Sequence, residues 1–218
     1  MTLQASLSLL TEDQLPEVLA LQQRIIAVLE QPDFLQPLTE EEFVYILRGN
    51  GMMAGAFVDN HLIAFRAMLD PGEDEEHLGI DAGVSLNELS SVLYSEISGV
   101  DPDYRGHGLQ TILGKWLMEH VERDRYRYIC TTVAPFNIPS LKDKFALGLR
   151  IKELKMKYGN KLRYILFKDL QEPSRGTTSE QQFVLMENTE QQQNLLNEGW
   201  IGEYIEKKDD RWYVLYVK

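Results

Sequence analysis

The sequence predicts an α/β (α+β) protein: a mixed, largely antiparallel central sheet flanked by helices, followed by a small β-rich C-terminal extension. Three observations carry this. Two pairs of strand-like apolar runs, Met52 to Val58 with Leu62 to Leu69 and Ile151 to Tyr158 with Leu162 to Phe167, are linked at Asp59-Asn60-His61 and Gly159-Asn160; short Asn-bearing links of this kind mark antiparallel hairpins. Strands also alternate with amphipathic helices. After the strand Val92 to Val100, residues Leu109, Ile112, Leu113, Trp116, Leu117 and Val121 recur at helical spacing, so one helix face is apolar. Third, a polar stretch holding Pro173 and Gly176 precedes the last forty or so residues, as a linker would.

In chain order, Ser6 to Leu10 is a first strand, and Asp13 caps a helix running to about Leu29, with Pro16 tolerated in its first turn. Pro32 and Pro37 bound a loop. Thr39 with Glu42 forms a capping box for a short helix through Leu47, and Gly49-Asn-Gly51 stops it. Glu73 to Glu76 reads as an acidic surface loop, and His77 to Ser91 as loop or a helical turn. Gly99, inside a strand pattern, suggests a bulge or a close backbone approach. Tyr128 to Val133 is the next strand. Asn137 is a natural N-cap for the helix that follows, with Pro139 in its first turn and Gly148 as its stop.

The domain division is then 1–170 for the main domain, 171–181 for the linker and 182–218 for an extension. The extension has a β-α-β-β pattern: Phe183 to Met186, a helix from Glu190 to Glu198 stopped at Gly199, then Trp200 to Ile205 and Trp212 to Val217. Fewer than about 50 residues rarely fold alone without a metal or disulfide. The extension is therefore expected to dock on the main domain or on a second subunit, as in a homodimer.

Composition narrows the function. The 218 residues carry a net charge of −12, which disfavours nucleic acid as a partner, because Lys and Arg on phosphates supply most of that affinity. The acidity could attract a cationic acceptor, but an ordinary acidic soluble protein is the better reading of it. The single cysteine, Cys130, sits in an apolar strand, and a buried structural thiol is expected there. No apolar run is long enough to span a bilayer and no signal-peptide pattern opens the chain, so the expectation is a soluble cytoplasmic protein with no membrane partner. The histidines His61, His77, His107 and His120 show no metal-ligand spacing, and no metal is expected.

The chemistry concentrates in Val100-Asp-Pro-Asp-Tyr-Arg-Gly-His-Gly-Leu-Gln110. A strand, a glycine turn and a helix start make an anion site: the first helical N–H groups have no internal partners, and the macrodipole adds about half a positive charge. Gly106 and Gly108 let main chain approach a phosphate closely, and Arg105 and His107 can add charge at the same mouth.

This run resembles the acetyl-CoA-binding motif of the GCN5-related N-acetyltransferases, whose core is Q/R-x-x-G-x-G/A after a strand ending in V-x-P. Val100, Pro102, Tyr104, Arg105, Gly106, Gly108 and Leu109 match; Gln110 stands where the family prefers Gly or Ala. The family's second signature is an Asn, a small residue three later, and a Gly-Phe pair eleven and twelve later. Here these are Asn137, Ser140, Gly148 and Leu149. The Tyr expected seven positions after the Asn, which often protonates the leaving thiolate, is replaced by Lys144. The resemblance extends over roughly Ser6 to Leu170 and is specific from Val92 to Leu149.

The resemblance implies acetyl-CoA as cosubstrate, with pantetheine along the strand ending at Val100. It implies pyrophosphate at Arg105, Gly106, His107, Gly108, Leu109 and Gln110, and Asn137 and Ser140 along the cofactor arm. Lys144 is expected either to neutralise a cofactor phosphate or to be a solvated helix lysine. Gln110 is expected to be accommodated, pointing outward or donating an amide hydrogen bond to the cofactor. A primary amine, on a small molecule or a peptide, would attack the thioester directly.

Glu96 is the candidate general base. Strand parity puts it on one face with Tyr94, Ser98 and Val100, and acids on or near this strand often serve the family in that role. An acceptor like Lys, with a pKa near 10.4, loses its proton at pH 7 at a cost of about 4.6 kcal/mol, so a base is useful. For the acid step, Lys144, Tyr158 and Ser140 all remain open. Two alternatives to N-acetyl transfer also stand: a non-catalytic CoA-binding regulatory or assembly module, and transfer of a different acyl group.

Overall fold

The computed structural model describes residues 3–29, 35–172 and 180–218. Pro32 of the expected loop and residues 173–179 of the expected linker lie outside the described residues. In chain order the first elements are β1 (Ser6–Leu9), α1 (Leu15–Ile26), α2 (Glu40–Leu47), β2 (Gly51–Val58), β3 (His61–Leu69) and α3 (Leu78–Asp81). Next come β4 (Val92–Val100), α4 (Leu109–His120), β5 (Tyr128–Val133), α5 (Ile138–Ala146), β6 (Arg150–Lys157) and β7 (Lys161–Asp169). The chain closes with β8 (Gln181–Leu185), α6 (Thr189–Asn197), β9 (Ile201–Lys208) and β10 (Arg211–Val217). It divides into two units, Met1–Gly72 with Leu93–Glu122, and Glu73–Val92 with Arg123–Lys218. Every register described within either unit is antiparallel.

In the first unit the strands run β1-β2-β3-β4. Asp59 and Asn60 take positive φ, 48° and 63°, which gives the tight turn whose twist suits a hairpin. Alternation along β3 sends Phe65 and Ala67 into a core with Val18, Leu21 and Ile25 of α1 and Phe43 and Ile46 of α2. Phe43 and Phe65 meet edge to face at 5.8 Å; a fully buried side chain of this size contributes about 1.5–3 kcal/mol. Gln22, buried on α1, closes both its amide functions on the main chain of Leu38, at 2.8 and 3.1 Å, so the loop into α2 is tied down without an orphan polar group. Thr39 and Glu42 form the reciprocal capping box of α2.

Some expectations change at the edges. Thr11, not Asp13, caps the N-terminal helical segment: it forms a capping box with Gln14 over a 3-10 turn at Glu12–Gln14, and α1 follows. α1 ends at Ile26 rather than Leu29, because Val28 and Leu29 bond three residues back, to Ile25 and Ile26, a tightened final turn. The buried face of α4 is Leu109, Leu113, Gly114, Leu117 and Met118, rotated from the expected stripe, and Ile112 is exposed. The segment 77–91 forms α3 and a 3-10 turn at Leu86–Ser91.

In the second unit the strand order is β5-β7-β6-β9-β10-β8. β9 meets β6 where Gly202 faces Ile151; a Cβ on Gly202 would lie 2.9 Å from that side chain, so glycine permits the approach. Gln192 of α6, wholly buried, organises the C-terminal elements. Its Oε1 accepts from the hydroxyls of Tyr164 and Tyr216 at 2.7 and 3.0 Å, and its Nε2 donates to the Met186 carbonyl at 2.8 Å. Burial pushes both phenols well above their ordinary pKa, so they stay protonated and donate. The segment 73–91 is fastened to β6 by Asp81, which meets Lys155 at 2.6 Å and Lys157 at 3.0 Å. Burial lowers the Lys157 pKa, but hydrogen bonds and charge from Asp81 and Glu76 outweigh that and leave it raised.

Candidate functional site

In the first unit, β4 leads into the glycine turn through a short 3-10 segment, Pro102–Tyr104, capped by Asp101. Asp101 is buried; its Oδ1 accepts from the Asp103 N–H, and its own N–H donates to the Ile63 carbonyl at 2.8 Å. Arg24 of α1 bridges Asp101 and Asp103, both at 3.0 Å. The turn is thereby held from behind by α1 and β3.

Its front is open. Gly106 and Gly108 sit at φ +82° and +70°, and a Cβ on either would meet nothing within 4 Å. Gly108 is also the N-cap of α4 and brings no side chain to the helix start. The open space that two side chains would fill lies at the positive end of a twelve-residue helix, which is what an incoming phosphate needs. Arg105 and His107 are exposed at this mouth. The His107 ring places Nδ1 at 3.2 and 3.1 Å from the carbonyls of Tyr104 and Arg105, so this nitrogen serves the turn itself. Leu109 is buried and can offer a ligand only its main chain. Gln110 neither points outward nor crowds the turn: its amide donates to Ser98 Oγ on β4 at 3.2 Å.

Glu96 and Val100 lie on the same strand, but not as simple alternation predicts. The register against β3 slips between Ala67 and Met68, which face Ile97 and Ser95. Glu96 is the extra residue of a β-bulge. The face it was expected to share is therefore broken at Glu96. Ser95, Ser98 and Val100 stand opposite Met68, Arg66 and Ala64 on one side, whereas Tyr94 stands opposite Leu69 on the other. The bulge expected at Gly99 falls three residues earlier; Gly99 instead marks a close approach, since a Cβ there would come within 2.5 Å of Ile25 and 2.8 Å of Phe65.

In the second unit, Asn137 caps α5, its Oδ1 accepting from the Ser140 N–H at 3.3 Å, so the two residues of the second signature form one local unit. Phe136 before them takes φ +66°, unusual for an aromatic residue, with its N–H on Met186 Sδ. Lys144 is not a solvated lysine: it is buried, with its ammonium 3.1 Å from the buried carboxylate of Asp143. Tyr158 is half-exposed in the β6–β7 turn at φ +50°. Cys130 is wholly buried, and burial, with the nearby Asp81 charge, pushes its thiol far up; it is no nucleophile.

A wide cavity of about 580 Å³ opens in this unit between residues 82–88 and the sheet face of Tyr128, Lys152 and Phe167. Arg127 in its wall is forked onto Asp169, at 2.8 Å, and reaches Glu88 at 3.2 Å, so its charge is met by its own neighbours. Among the described residues no group of three or more His, Cys, Asp or Glu is placed to hold a metal, and no helix is long and apolar enough to cross a membrane.

Three residues were invisible as contributors from the sequence: Arg66, which donates from inside β3 to the Gln110 carbonyl, and Asp101 and Arg24, which brace the turn. The Asp101-Pro102-Asp103 spacing is a turn-capping signal that could have found the second of these.

No protein-family model matches the chain, and no curated protein matches it in sequence. Solved structures do match in fold. The Escherichia coli ribosomal-protein-S18-alanine N-acetyltransferase superposes with a TM-score of 0.58 at 17% identity, over 81% of this chain and 100% of that one. A Salmonella typhimurium protein solved with its cofactor acetyl-CoA gives 0.57 at 10% identity, over 81% and 100%. An aminoglycoside acetyltransferase solved with coenzyme A and kanamycin gives 0.57 at 15%, over 76% and 95%. With its mostly antiparallel open sheet and flanking helices, the chain has the fold of the GCN5-related N-acetyltransferases.

Proposed function

We propose that this protein transfers an acetyl group from acetyl-CoA to a primary amine, on a small molecule or a peptide, in the cytoplasm. The observation that carries the reading is the start of α4: a helix whose cap is a glycine, facing space that no side chain of the turn occupies. Main-chain N–H groups there bind the pyrophosphate, each contributing about 1.5–3 kcal/mol toward a charged partner. The fold is one in which other proteins have been solved with acetyl-CoA or coenzyme A, and the open cradle suits that ligand. Acetyl-CoA supplies the activated acyl group; the chain supplies position and proton handling.

In this reading β4 carries the pantetheine arm, and a backbone N–H near Val100 polarises the thioester carbonyl. Glu96, or a water it holds, takes the proton of the attacking amine. Its place in a bulge favours this role, because a bulge re-aims a side chain that the ladder does not use. The net charge of −12 favours cationic acceptors in the encounter.

The deciding measurement is thiol release from acetyl-CoA across a panel of small amines and peptide N-termini. Release with an acceptor supports the transferase. Tight CoA binding with no release for any acceptor identifies a binding module instead, and release only from a longer acyl thioester identifies a different acyl donor. For the base, Glu96→Gln is expected to lower turnover at neutral pH, with partial recovery at high pH where the amine is already deprotonated. A constant variant-to-wild-type ratio across pH would assign Glu96 to structure.

A further inference from the structure

Arg66 lies in the middle of β3 with none of its surface exposed. Its neighbours Phe65 and Ala67 face the core under α1 and α2, so alternation sends Arg66 to the opposite face of the strand. There the guanidinium makes two contacts that matter. Nη2 donates to Ser95 Oγ at 2.9 Å, and Nη1 donates to the main-chain carbonyl of Gln110 at 2.9 Å. Gln110 is the second residue of α4, and its side chain bonds Ser98, which is the residue directly opposite Arg66 in the ladder. One side chain on β3 thus ties the first turn of α4, two residues after Gly108, to β4. Taking a guanidinium wholly out of water is costly, and an apolar side chain of similar volume would pack there without that cost. A permanent charge at this point therefore asks for a role beyond packing.

We propose that Arg66 is the positioning residue of the phosphate-binding turn. It holds the start of α4 against β4 so that the first N–H groups converge, and it places a fixed positive charge beneath them, adding to the helix dipole where screening by water is weak. The inference rests on the acetyl-CoA reading above and deepens it: affinity for the pyrophosphate end of the cosubstrate is set partly by a residue that does not touch it.

The test compares two probes, coenzyme A by calorimetry and pantetheine, which lacks the pyrophosphate, by NMR titration. Both are measured with the wild-type chain, Arg66→Met and Arg66→Lys, whose folding is checked by circular dichroism. Arg66→Met is expected to weaken coenzyme A at least about tenfold while pantetheine changes by less than about twofold. Arg66→Lys should recover part of the loss, because the charge is kept and the two-armed fork is not. If Arg66→Met does not fold, Arg66→Lys decides: a loss of about threefold or more for coenzyme A alone supports the proposal, and no loss overturns it. Equal losses for both probes overturn it in favour of a purely structural role. A wild-type chain with no affinity for coenzyme A overturns the cofactor reading, and this inference falls with it; wild-type binding that neither variant weakens overturns the inference alone.

Discussion

Two helix starts in this molecule are built on opposite principles. α5 opens with Asn137, whose side chain accepts from the Ser140 N–H, and α2 and α6 open in the same manner, with Thr39 and Asn188. α4 opens with Gly108 in a left-handed conformation and no side-chain acceptor. A helix made only to be stable closes its first turn with its own residues, a contribution of about 0.5–2 kcal/mol. In the proposed reading α4 leaves that turn for an anion and is steadied from behind by Asp101, Arg24 and Arg66. The contrast extends to charge. The second unit meets its buried cations internally, Lys144 with Asp143 and Lys157 with Asp81, whereas Arg105 of the first unit stands exposed at the open turn.

The contrast breaks most sharply at Gly108. Gly108→Val fills the open space and forces a β-branched residue into the left-handed region, at about 1–2 kcal/mol of fold stability. Loss of charge-assisted contacts should cost coenzyme A affinity about a hundredfold. Calorimetry and a thermal melt on one sample separate the two; unchanged affinity would remove the turn from the cofactor site.

The closed side predicts the reverse. Burial raises the Asp169 carboxyl, but hydrogen bonds from Arg127 and from the Gln171 and Glu172 main chain outweigh it, so its pKa lies below the usual carboxylate range. A depressed carboxylate contributes stability that is present above its unfolded pKa, near 3.9, and is lost as pH falls through the folded value. Asp169→Asn should therefore lower stability by about 1–2 kcal/mol at pH 7. The gap to wild type in urea unfolding should close in strong acid, and coenzyme A binding at pH 7 should not move. A gap independent of pH would mean that the ion pair is not its source.

The finest distinction lies between two caps. Asn137→Ala and Asn188→Ala should each cost about 1 kcal/mol of stability. If Asn137 also binds coenzyme A, its variant alone should weaken that binding. Equal behaviour of the two in a binding assay would reduce Asn137 to a cap.

Local signals made much of this legible in the sequence. The Thr39–Glu42 box, the Asp59-Asn60 turn, the Asn137 cap and the stop at Gly148 act within a few residues, and each element they bound lies where the pattern put it. What escaped depends on residues far apart. The bulge at Glu96 exists only relative to β3, so period-two reading of β4 alone misassigned the face of Tyr94. Nothing in the sequence marks Arg66 as bonding the start of α4, and Lys144 stays open between a phosphate partner and a solvated lysine until the fold buries it beside Asp143. Asp81 finds Lys155 and Lys157 across more than seventy positions, a distance over which no pattern in the chain speaks.

The bulge carries one more consequence. On either side of Glu96 the ladder is regular, with Ser95 facing Met68 and Ile97 facing Ala67. Deleting that single residue would leave both flanking pairs in place and the strand uninterrupted. β4 is thus one residue longer than its pairing with β3 requires. That surplus residue is a carboxylate, and the sheet could be threaded without it.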